Sequence, residues 1–564
     1  MTTKILNFIL ITGIFFFIYS SESYSQIENA PLSNDVYSFL KEMQVKRVIS
    51  GVNDDNPNLS RFQIADFLNA IQMKGNELSA TEKKLLDKYM IEFVPEVRNK
   101  KNTASMFKSN MDVSGGFKHI LSDKQKYLFS YEKNRNNIFI EPLLNLYLAN
   151  SIKPDTKKSS KIFDGGFRFR GSLFDHLGYE FKFIKGGAVG DSVLTESVFP
   201  KIKSTFKYVE NIENITNYDF VGGYLKYYLS PSEGMDIAAQ FGRERITFGL
   251  GYSGSLALSG EAPDMDFLKL TFKYGIINFS SVFGSTVGEY SPNRDERYSK
   301  YFTANRLKLS FDKLFDVGIG ETVISSRGIE LGYLNPLIFY KFAEMSLQDR
   351  DNGTIFADIQ THFIKNLELQ GTFFMDENIL SNLSDLSKAS NKTAYQLGLF
   401  WYEPAGLKNV SFIFEYTKIR PYVYTHFDRK NIYSAFGVGL GHPAGPNADQ
   451  LFFKLRYNFS EKLTLDLAFQ KIRKGKNYYD AEGNLERNVG GDIFQTFRTG
   501  IDNEEAYFLD GVRENTESIG VNISYEPIRN YVFDLHYSNN IVKNITYDQN
   551  TDNSYAYLKF RFNY

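Results

Sequence analysis

The strongest constraint on the fold is an alternation of apolar and polar residues with a period of two. The C-terminal segment shows it most clearly, because every second position is apolar or aromatic: Ala556, Leu558, Phe560, Phe562 and Tyr564. A strand with one apolar and one polar face, ending on an aromatic residue, suits the closing strand of a membrane-spanning β-barrel.

The same period recurs throughout the region after about residue 111. Examples are the segments 453–459, 463–470 and 531–537. A soluble antiparallel sandwich would also alternate, so the lengths of the connections decide more. Short turns are predicted near 404–409, 460–462 and 527–530, and between them lie long segments at 419–450 and 474–516. Short turns at one end and long loops at the other are typical of outer-membrane barrels.

Counting strands back from the C-terminus gives 18 to 20. We predict an all-β transmembrane protein, an antiparallel outer-membrane barrel of about 18 strands that occupies residues 106–564. The segments expected outside the cell are 186–218, 247–264, 325–353, 377–392, 419–450 and 474–516. Within them, Leu337 to Met345 follows Asn335-Pro336 and is expected to form a helical turn inside the lumen.

Residues 1–25 have the features of a secretory signal peptide. Met1 to Lys4 is basic, Ile5 to Tyr19 is apolar, and a small-x-small site ends at Ser25. The apolar run is shorter than the roughly 20 residues that a membrane-spanning helix needs. We therefore expect cleavage before Gln26 and delivery to a Gram-negative type of outer membrane.

Residues 26–105 are predicted to form a small periplasmic helical region. Apolar residues at i, i+3, i+4 and i+7 form three stripes: Val36/Phe39/Leu40/Met43, Ile64/Phe67/Leu68/Ile71 and Leu86/Tyr89/Met90/Phe93. Ser60 with Gln63, and Ser79 with Glu82, have capping-box spacing. So small a bundle is marginal alone, so we expect it to pack against the periplasmic mouth of the barrel. A tether with no role beyond folding is equally compatible with this pattern.

Composition excludes several classes of function. The chain has no cysteine, which rules out disulfides and thiol chemistry. Acidic and basic residues nearly cancel, at 66 against 65, which removes the electrostatic case for nucleic acid. Phe and Tyr are abundant, at 51 and 37, and such aromatics suit the interfacial girdles of a barrel or surfaces that stack on sugars.

Motifs for catalysis or cofactors are weak. Residues 249–254 match G-x-G-x-x-G but lack the strand-helix context of a dinucleotide site. The six histidines are too scattered to indicate a metal site. We therefore expect no enzyme activity, no cofactor and no metal.

The best candidate binding residues are aromatic and polar. Rings present flat faces to sugar C–H surfaces, while carboxylates and amides bond to hydroxyls. The predicted polysaccharide-binding residues are Tyr416, Tyr422, Tyr424, His426, Asn447, Asp449, Tyr478 and Tyr479. An interfacial tyrosine girdle is the alternative for such residues.

Charged residues close in sequence suggest a lumen lining. The predicted lumen-lining residues are Arg243, Glu244, Arg245 and Glu321. Such charges could line a pathway for a small solute or satisfy one another in a plugged interior.

Several segments together resemble the Wzi-like capsule assembly family, outer-membrane barrels that act as surface lectins for capsular polysaccharide. They occur in order over roughly residues 165–470: Gly251-Tyr252-Ser253-Gly254-Ser255-Leu256 with Leu258-Ser259, Tyr333-Leu334-Asn335-Pro336-Leu337, Asp351-Asn352, Asp376-Glu377, Glu415-Tyr416-Thr417 with Pro421-Tyr422-Val423-Tyr424-Thr425-His426, and Leu440-Gly441 with Gly445-Pro446-Asn447-Ala448-Asp449. The resemblance implies 18 strands, a periplasmic helical element, inward loops, polysaccharide binding at the outer face, and no catalysis.

Two functions remain open from the residues alone, and both accept the barrel. One is a lectin that binds exported capsular or related polysaccharide and helps to attach it to the cell surface. The other is a diffusion channel for a small solute. The resemblance favours the lectin, with surface polysaccharide and outer-membrane lipid as partners. Recruitment of periplasmic export machinery through the helices is compatible with it.

Overall fold

The computed structural model describes residues 26–562 except 57, 96, 98–101, 108–118, 205–214, 290, 292, 377–384 and 386. The predicted signal peptide and Tyr564 lie outside the described residues. So do Glu377 and much of the predicted external segment 377–392.

The residues with period two form one large antiparallel sheet with short strands in two of its loops. The strands are β1 (Thr103–Phe107), β2 (Gln125–Lys133), β3 (Asn136–Lys153), β4 (Ser159–Leu173), β5 (Leu177–Gly190), β6 (Thr216–Ser232), β7 (Met235–Glu244), β8 (Met265–Tyr274), β9 (Ile277–Val287), β10 (Ser299–Ser310), β11 (Phe315–Ser325), β12 (Asn352–Thr361), β13 (Leu367–Asp376), β14 (Thr393–Tyr402), β15 (Val410–Ile419), β16 (Ser434–Ala435), β17 (Val438–Gly439), β18 (Ala448–Asn458), β19 (Leu463–Lys476), β20 (Tyr478–Tyr479), β21 (Leu485–Arg487), β22 (Val512–Ile528), β23 (Tyr531–Asn544) and β24 (Gln549–Phe562).

Eighteen of these strands close into a barrel. From β3 to β15 each strand pairs with the next, and β18, β19, β22, β23 and β24 complete the wall. The last strand closes on the first, with Leu558 opposite Leu148 and Phe562 opposite Leu144. Strand β2 pairs with the start of β3, and β1 runs parallel to β2. The predicted fold class, an antiparallel barrel of about 18 strands, is confirmed.

Alternation along each strand separates an apolar outer face from a mostly polar inner face. Phe163, Phe167 and Phe169 of β4 are exposed outward. The intervening Arg168 and Arg170 are buried inside, where both donate to Glu141. Large exposed apolar residues of this kind are costly in water and suit the lipid-facing band of a barrel.

The helices are α1 (Val36–Val45), α2 (Arg61–Met73), α3 (Ala80–Phe93), α4 (Ser192–Val198), α5 (Leu331–Leu334) and α6 (Tyr340–Ser346). The predicted stripes therefore form helices, and both predicted capping pairs form. Gln63 accepts from the Ser60 N–H at 2.9 Å, and Ser79 and Glu82 bond reciprocally. Within the described residues, no helix is long and apolar enough to cross a membrane.

Helices α1 to α3 cover the end of the barrel at which the short turns lie. Their apolar stripes pack together and against Phe400 and Tyr402 on the inner wall. Glu82 accepts from Lys46 at 2.7 Å and from the Tyr402 hydroxyl at 2.8 Å. The N-terminal segment adds Glu28, which pairs with Arg170 at 2.8 Å. Apolar packing and buried ion pairs therefore hold this bundle in the mouth that carries the short turns.

Loops from the opposite end fold into the lumen. In the loop 245–264, Phe248, Leu256 and Leu258 pack in an apolar cluster with wall residues that include Phe356 and Phe374. The tip of this loop reaches the helices, since the Gly249 N–H donates to the Asp55 carbonyl at 3.0 Å. Helix α4, in the loop 191–204, packs against Tyr147 and Ile162 on the inner wall.

The loop 326–351 takes the opposite course. The sequence placed its helix, Leu337 to Met345, inside the lumen, but the structure places it on the outer wall. Glu321 of β11 lies on the same face as the exposed Val317 and Ile319, and it accepts the N–H group of Tyr340 at 2.7 Å. Sequence alone did not separate the two positions, because a helix with one polar and one apolar side fits either wall.

Candidate functional site

The external loops form a groove above the mouth that combines rings, charges and an amide. It lies between the loops 420–447 and 477–511 and has a volume of about 530 Å³, within the roughly 300–1,000 Å³ typical of ligand sites. We call it the outer groove, and its principal polar and aromatic residues are Lys474, Lys476, Asn477, Tyr479, Asp492 and Phe494.

Tyr479 presents the most accessible ring of the outer groove. Its side chain is 41% exposed, and its hydroxyl donates to Asp492 at 3.1 Å. Lys476 is also exposed and pairs with Glu514 at 2.7 Å. Lys474 donates to the Ala444 carbonyl at 2.9 Å. The groove therefore offers a ring face, two ammonium groups and a carboxylate to a ligand from outside.

A buried asparagine joins the two loops that form the groove. The Asn447 amide donates to the carbonyls of Gly475 and Asp510 at 2.9 Å each, and its oxygen accepts the Leu509 N–H at 2.6 Å. Its φ of 54° lies in the left-handed region, which asparagine adopts more readily than most residues. Asn447, a predicted sugar contact, is thus fully buried and acts through the loops it connects.

Tyr422 and Tyr424 are also buried, with 1% and 2% of their surface exposed. The Tyr424 hydroxyl donates to the Leu256 carbonyl at 2.8 Å, and its ring stacks on Tyr433 at 5.4 Å. The Tyr422 hydroxyl donates to the Asn488 carbonyl at 3.1 Å. In this conformation neither ring presents a face to a polymer, although Tyr424 borders the floor of the outer groove.

Two further predicted contacts lie on the outer wall. Tyr416 and Asp449 share a face of the sheet with Tyr395, and the Tyr416 hydroxyl lies 3.4 Å from Asp449. Asp449 pairs with Arg473 of β19. These residues stand near the external ends of their strands, so they occupy the position of an interfacial girdle. His426 is buried beside the exposed Phe427, with ring centroids 4.1 Å apart.

The structure separates the predicted lumen residues. Arg243 shares the outer face with Phe241, which is 66% exposed, and pairs with Asp266 at 2.6 Å. Arg243 therefore does not line the lumen, in contrast to the sequence prediction. Glu244 points inward and accepts from Gln240 at 2.9 Å. Successive residues of a strand face opposite sides, so adjacent charges cannot share one wall.

The other two predicted lumen residues also differ in position. Arg245 directly follows β7. Its Nε atom lies 3.8 Å from a carboxylate oxygen of Asp264, the residue directly before β8. Glu321 lies on the outer wall beneath the loop 326–351, so the lumen assignment of this residue is corrected.

A serine, a histidine and a glutamate meet in the lumen, but not in a catalytic order. Ser253 Oγ donates to Glu415 at 2.6 Å and lies 3.1 Å from His442 Nε2. His442 Nδ1 accepts the Ala444 N–H at 3.2 Å, so the ring proton is on Nε2 and points at the serine. Burial lowers the pKa of His442 to about 3. A serine nucleophile needs the histidine to accept its proton, and this histidine donates instead.

Among the described residues, no group of three or more acidic or histidine side chains is placed to hold a metal ion.

The groove residues that the sequence pattern did not reveal are Lys474, Lys476, Asn477, Asp492 and Phe494. The lysines had one usable signal. Both lie at even-numbered positions near the external end of β19, and the even-numbered residues of this strand face the barrel interior. At that end of the strand, an inward-facing side chain reaches the external mouth.

Comparison with known proteins identifies a family model. The model described as capsule assembly protein Wzi matches residues 202–556. No curated protein sequence matches the chain.

Solved structures share the fold. Wzi of Escherichia coli, an outer-membrane protein involved in group 1 capsule assembly and described as a carbohydrate-binding β-barrel, has a TM-score of 0.52 and 11% identity. The alignment covers 95% of this chain and 99% of that one. OprD of Pseudomonas aeruginosa has a TM-score of 0.41 and 11% identity, and the alignment covers 75% of this chain and 94% of that one. OpdK of the same organism, solved with vanillate, has a TM-score of 0.42 and 9% identity, and the alignment covers 75% of this chain and 98% of that one. At these identities the likeness concerns the fold.

Proposed function

Because this chain belongs to the Wzi capsule assembly family of outer-membrane barrels, we propose that it is a surface lectin. In this role it binds exported capsular or related polysaccharide and helps to attach that polymer to the cell. The single observation that carries the proposal is the outer groove, which opens toward the cell exterior and combines aromatic and charged groups.

The chemistry of the outer groove suits a sugar polymer. The exposed ring of Tyr479 offers an apolar face for sugar C–H groups, and Phe494 adds a second ring nearby. Lys476 and Asp492 supply a donor and an acceptor for hydroxyl or carboxylate groups. Tyr478 stands beside this surface, with the Arg487 guanidinium 5.5 Å from its ring centroid. Of the eight predicted contacts, Tyr478 and Tyr479 are the two that this proposal retains at the surface.

The mechanism is multivalent binding without catalysis. Each barrel binds one short stretch of a long polymer, and many barrels in one membrane hold the same chain. Linked binding events raise the effective concentration at each further site, so avidity exceeds the affinity of a single groove. The donating histidine in the Ser253, His442 and Glu415 cluster supports a role without bond cleavage.

A diffusion channel is the second candidate, and the folded inserts weigh against it. Helices α1 to α3 cover one mouth, and the loop 245–264 fills part of the lumen with an apolar cluster. A channel needs a continuous water-filled path lined by polar groups. The inserts instead stabilise a closed scaffold beneath the outer groove.

Replacing Tyr479 with Ala is expected to weaken retention of surface polysaccharide by the cell. The loss of one stacked ring should reduce affinity by roughly fivefold, since such contacts contribute on the order of 1 kcal/mol. The measurement is binding of purified polysaccharide to the purified barrel, together with the fraction of polymer shed by intact cells.

Tyr507→Ala is the matched control, because Tyr507 is an exposed tyrosine of the same loop that lies outside the outer groove and donates to Glu505. Heat-modifiable gel mobility shows that each variant folds. Equal binding by the Tyr479 variant, the Tyr507 variant and the unmodified barrel would refute the proposed groove.

A further inference from the structure

The loop 326–351, which contains α5 and α6, lies on the outer wall of the barrel, and we call it the outer flap. Its position follows from the direction of the side chains beneath it. Arg306 points into the lumen and pairs with Asp358 at 2.6 Å, so its neighbour Asn305 points outward. Asn305 donates to the carbonyl groups of Pro336 and Ile338 in the flap.

Beneath the outer flap, three adjacent strands present a row of polar residues on their outer face. Asn305 of β10 stands opposite Ser281 of β9 on one side and Glu321 of β11 on the other. A carboxylate in such a row would be costly against hydrocarbon. The flap covers all three side chains, which are buried.

The flap supplies hydrogen-bond partners to this polar row from its own backbone and side chains. The two Glu321 oxygens accept the N–H groups of Tyr340 at 2.7 Å and Lys341 at 3.1 Å. The Tyr340 hydroxyl lies 3.5 Å from Ser281 Oγ. The pairing leaves the outer wall without an open acidic group at this level.

Helix α6 keeps its two charged residues on the side that faces the barrel, whereas the exposed Asp349 and Arg350 lie in the short segment between α6 and β12. Glu344 pairs with Lys341 at 2.5 Å and lies so close to Gly353 that a Cβ there would come within 2.5 Å of its carboxylate. Asp351 is buried at the base of the flap, where it accepts from Tyr333 at 2.9 Å and pairs with Arg327.

The opposite side of the flap is apolar and exposed. Leu337 is 90% exposed and Phe342 69% exposed, and further apolar side chains surround them: Leu331, Phe339 and Met345. A helix on the surface of a water-soluble protein has the reverse arrangement, with apolar residues facing the protein and charged residues facing water. An inside-out helix of this kind is stable where the surroundings are less polar than the surface it covers.

This apolar side continues the lipid-facing band of the barrel. Leu307, Val317, Ile319 and Ile359 are exposed on the same outer face of the strands that carry the flap. The band and the flap form one apolar surface, with the polar row hidden between them.

We propose that the outer flap is embedded in the outer leaflet of the membrane, where lipid acyl chains cover Leu337, Phe342 and Met345. The sequence pattern predicted this segment outside the cell, with its helical turn inside the lumen. The flap instead adds a lipid-binding surface to the wall, independent of the outer groove and of polysaccharide binding.

Tryptophan fluorescence tests this placement directly, because the chain has a single tryptophan, Trp401. In a Trp401→Phe background, Phe342→Trp and Leu337→Trp each report on the flap. The barrel is reconstituted into phosphatidylcholine vesicles with normal or brominated acyl chains, and iodide is added as an aqueous quencher. Heat-modifiable mobility confirms folding of each variant.

Two further variants calibrate the signal in the same background. Ile319→Trp lies on the bare wall beside the flap and sets the quenching expected in lipid. Tyr507→Trp lies on an exposed external loop and sets the response to iodide.

The expected result is loss of fluorescence in brominated vesicles equal to that of Ile319→Trp, with little response to iodide. Quenching by iodide to the extent seen for Tyr507→Trp would place the flap in water and overturn the proposal. Protection from both quenchers would mean that protein, such as a second copy of the chain, covers the flap, and would also overturn it.

Discussion

Single residues in this barrel have roles that depend on which face of a strand they occupy. Arg243 and Glu244 are adjacent in sequence, yet one pairs with Asp266 on the outer face and the other bonds to Gln240 inside. A similar divide separates Asn305 beneath the flap from Arg306 in the lumen. Charge type alone therefore does not indicate location, because the period of two assigns neighbours to different environments.

Strained backbone marks the segment under the outer groove. Tyr422 and Tyr424 have φ values of 63° and 72°, in the left-handed region that bulky residues rarely adopt. Such a conformation costs on the order of 1 kcal/mol per residue and persists only when surrounding contacts fix it. The Tyr424 N–H donates to Asp376 at 2.5 Å, and the Tyr422 N–H donates to the Gly490 carbonyl at 3.0 Å. These tyrosines support the groove from beneath.

Glu42 is expected to make the seating of α1 depend on pH. Burial is the largest influence and raises its pKa to about 7, against the opposing effect of Arg456 and with a further contribution from Glu82. The raised pKa means that the folded state favours the protonated form. Its stabilising contribution is full below the ordinary glutamate pKa of about 4.5 and is lost as pH rises through about 7.

Glu42→Gln should remove this dependence, because an amide keeps the contacts with Ser411 and Asn458 without a charge. The difference between pH 5 and pH 8 should be on the order of 2–3 kcal/mol in the unmodified protein and near zero in the variant. Hydrogen exchange of the α1 amides at the two pH values measures it. Equal protection of the unmodified α1 at both would contradict the prediction.

At the scale of elements, the loops are organised by a few buried polar residues rather than by their own secondary structure. β20 and β21 form only a short hairpin within the loop 477–511. Asn447 supplies three hydrogen bonds that connect this loop with the loop 420–447 and with β19. The shape of the outer groove therefore depends on a residue that no ligand can reach.

Asn447→Ala should loosen the loop 477–511 without unfolding the barrel. Leaving buried backbone groups without partners costs roughly 1–3 kcal/mol, and the cost falls on the loops. Limited proteolysis should show faster cutting within this loop, while heat-modifiable mobility stays unchanged.

Asn484→Ala is the control for that experiment, because Asn484 is exposed and bonds within its own turn to Asp480. If both variants are cut at the same rate as the unmodified protein, Asn447 does not organise the groove.

The whole molecule is a barrel with protein inserted from both ends and a flap outside. The helices enter from the mouth of short turns, and the loops 245–264 and 191–204 enter from the other. The wall provides a fixed frame, since each strand bonds to two neighbours. The inserts then use the polar inner wall as a docking surface, as Glu82 and Tyr402 do.

Planar-bilayer recording of the purified barrel is expected to show no steady conductance. Replacing the loop 245–264 with a short turn should create a measurable current, because it removes the apolar cluster around Phe248, Leu256 and Leu258. Shortening the loop 545–548, which connects β23 and β24 outside the lumen cluster, is the control. Steady conductance of the unmodified barrel would favour the diffusion channel over the lectin.

The sequence by itself determined the barrel and its helical cover. A period of two over hundreds of residues, with short and long connections in alternation, admits few other folds, and the last strand closes as its pattern predicted. The stripes and capping pairs near Ser60 and Ser79 determined the helices, because these signals are local.

Only the tertiary structure decided which loop residues are buried and which side of the wall each loop covers. The sequence predicted both Tyr422 and Tyr479 as sugar contacts. Tyr422 is enclosed by neighbouring loops, whereas Tyr479 borders the open outer groove. The flap helix was predicted in the lumen and lies outside. The physical reason is that loops have no period, so their burial depends on partners distant in sequence, such as Glu321 for Tyr340 and Asp376 for Tyr424.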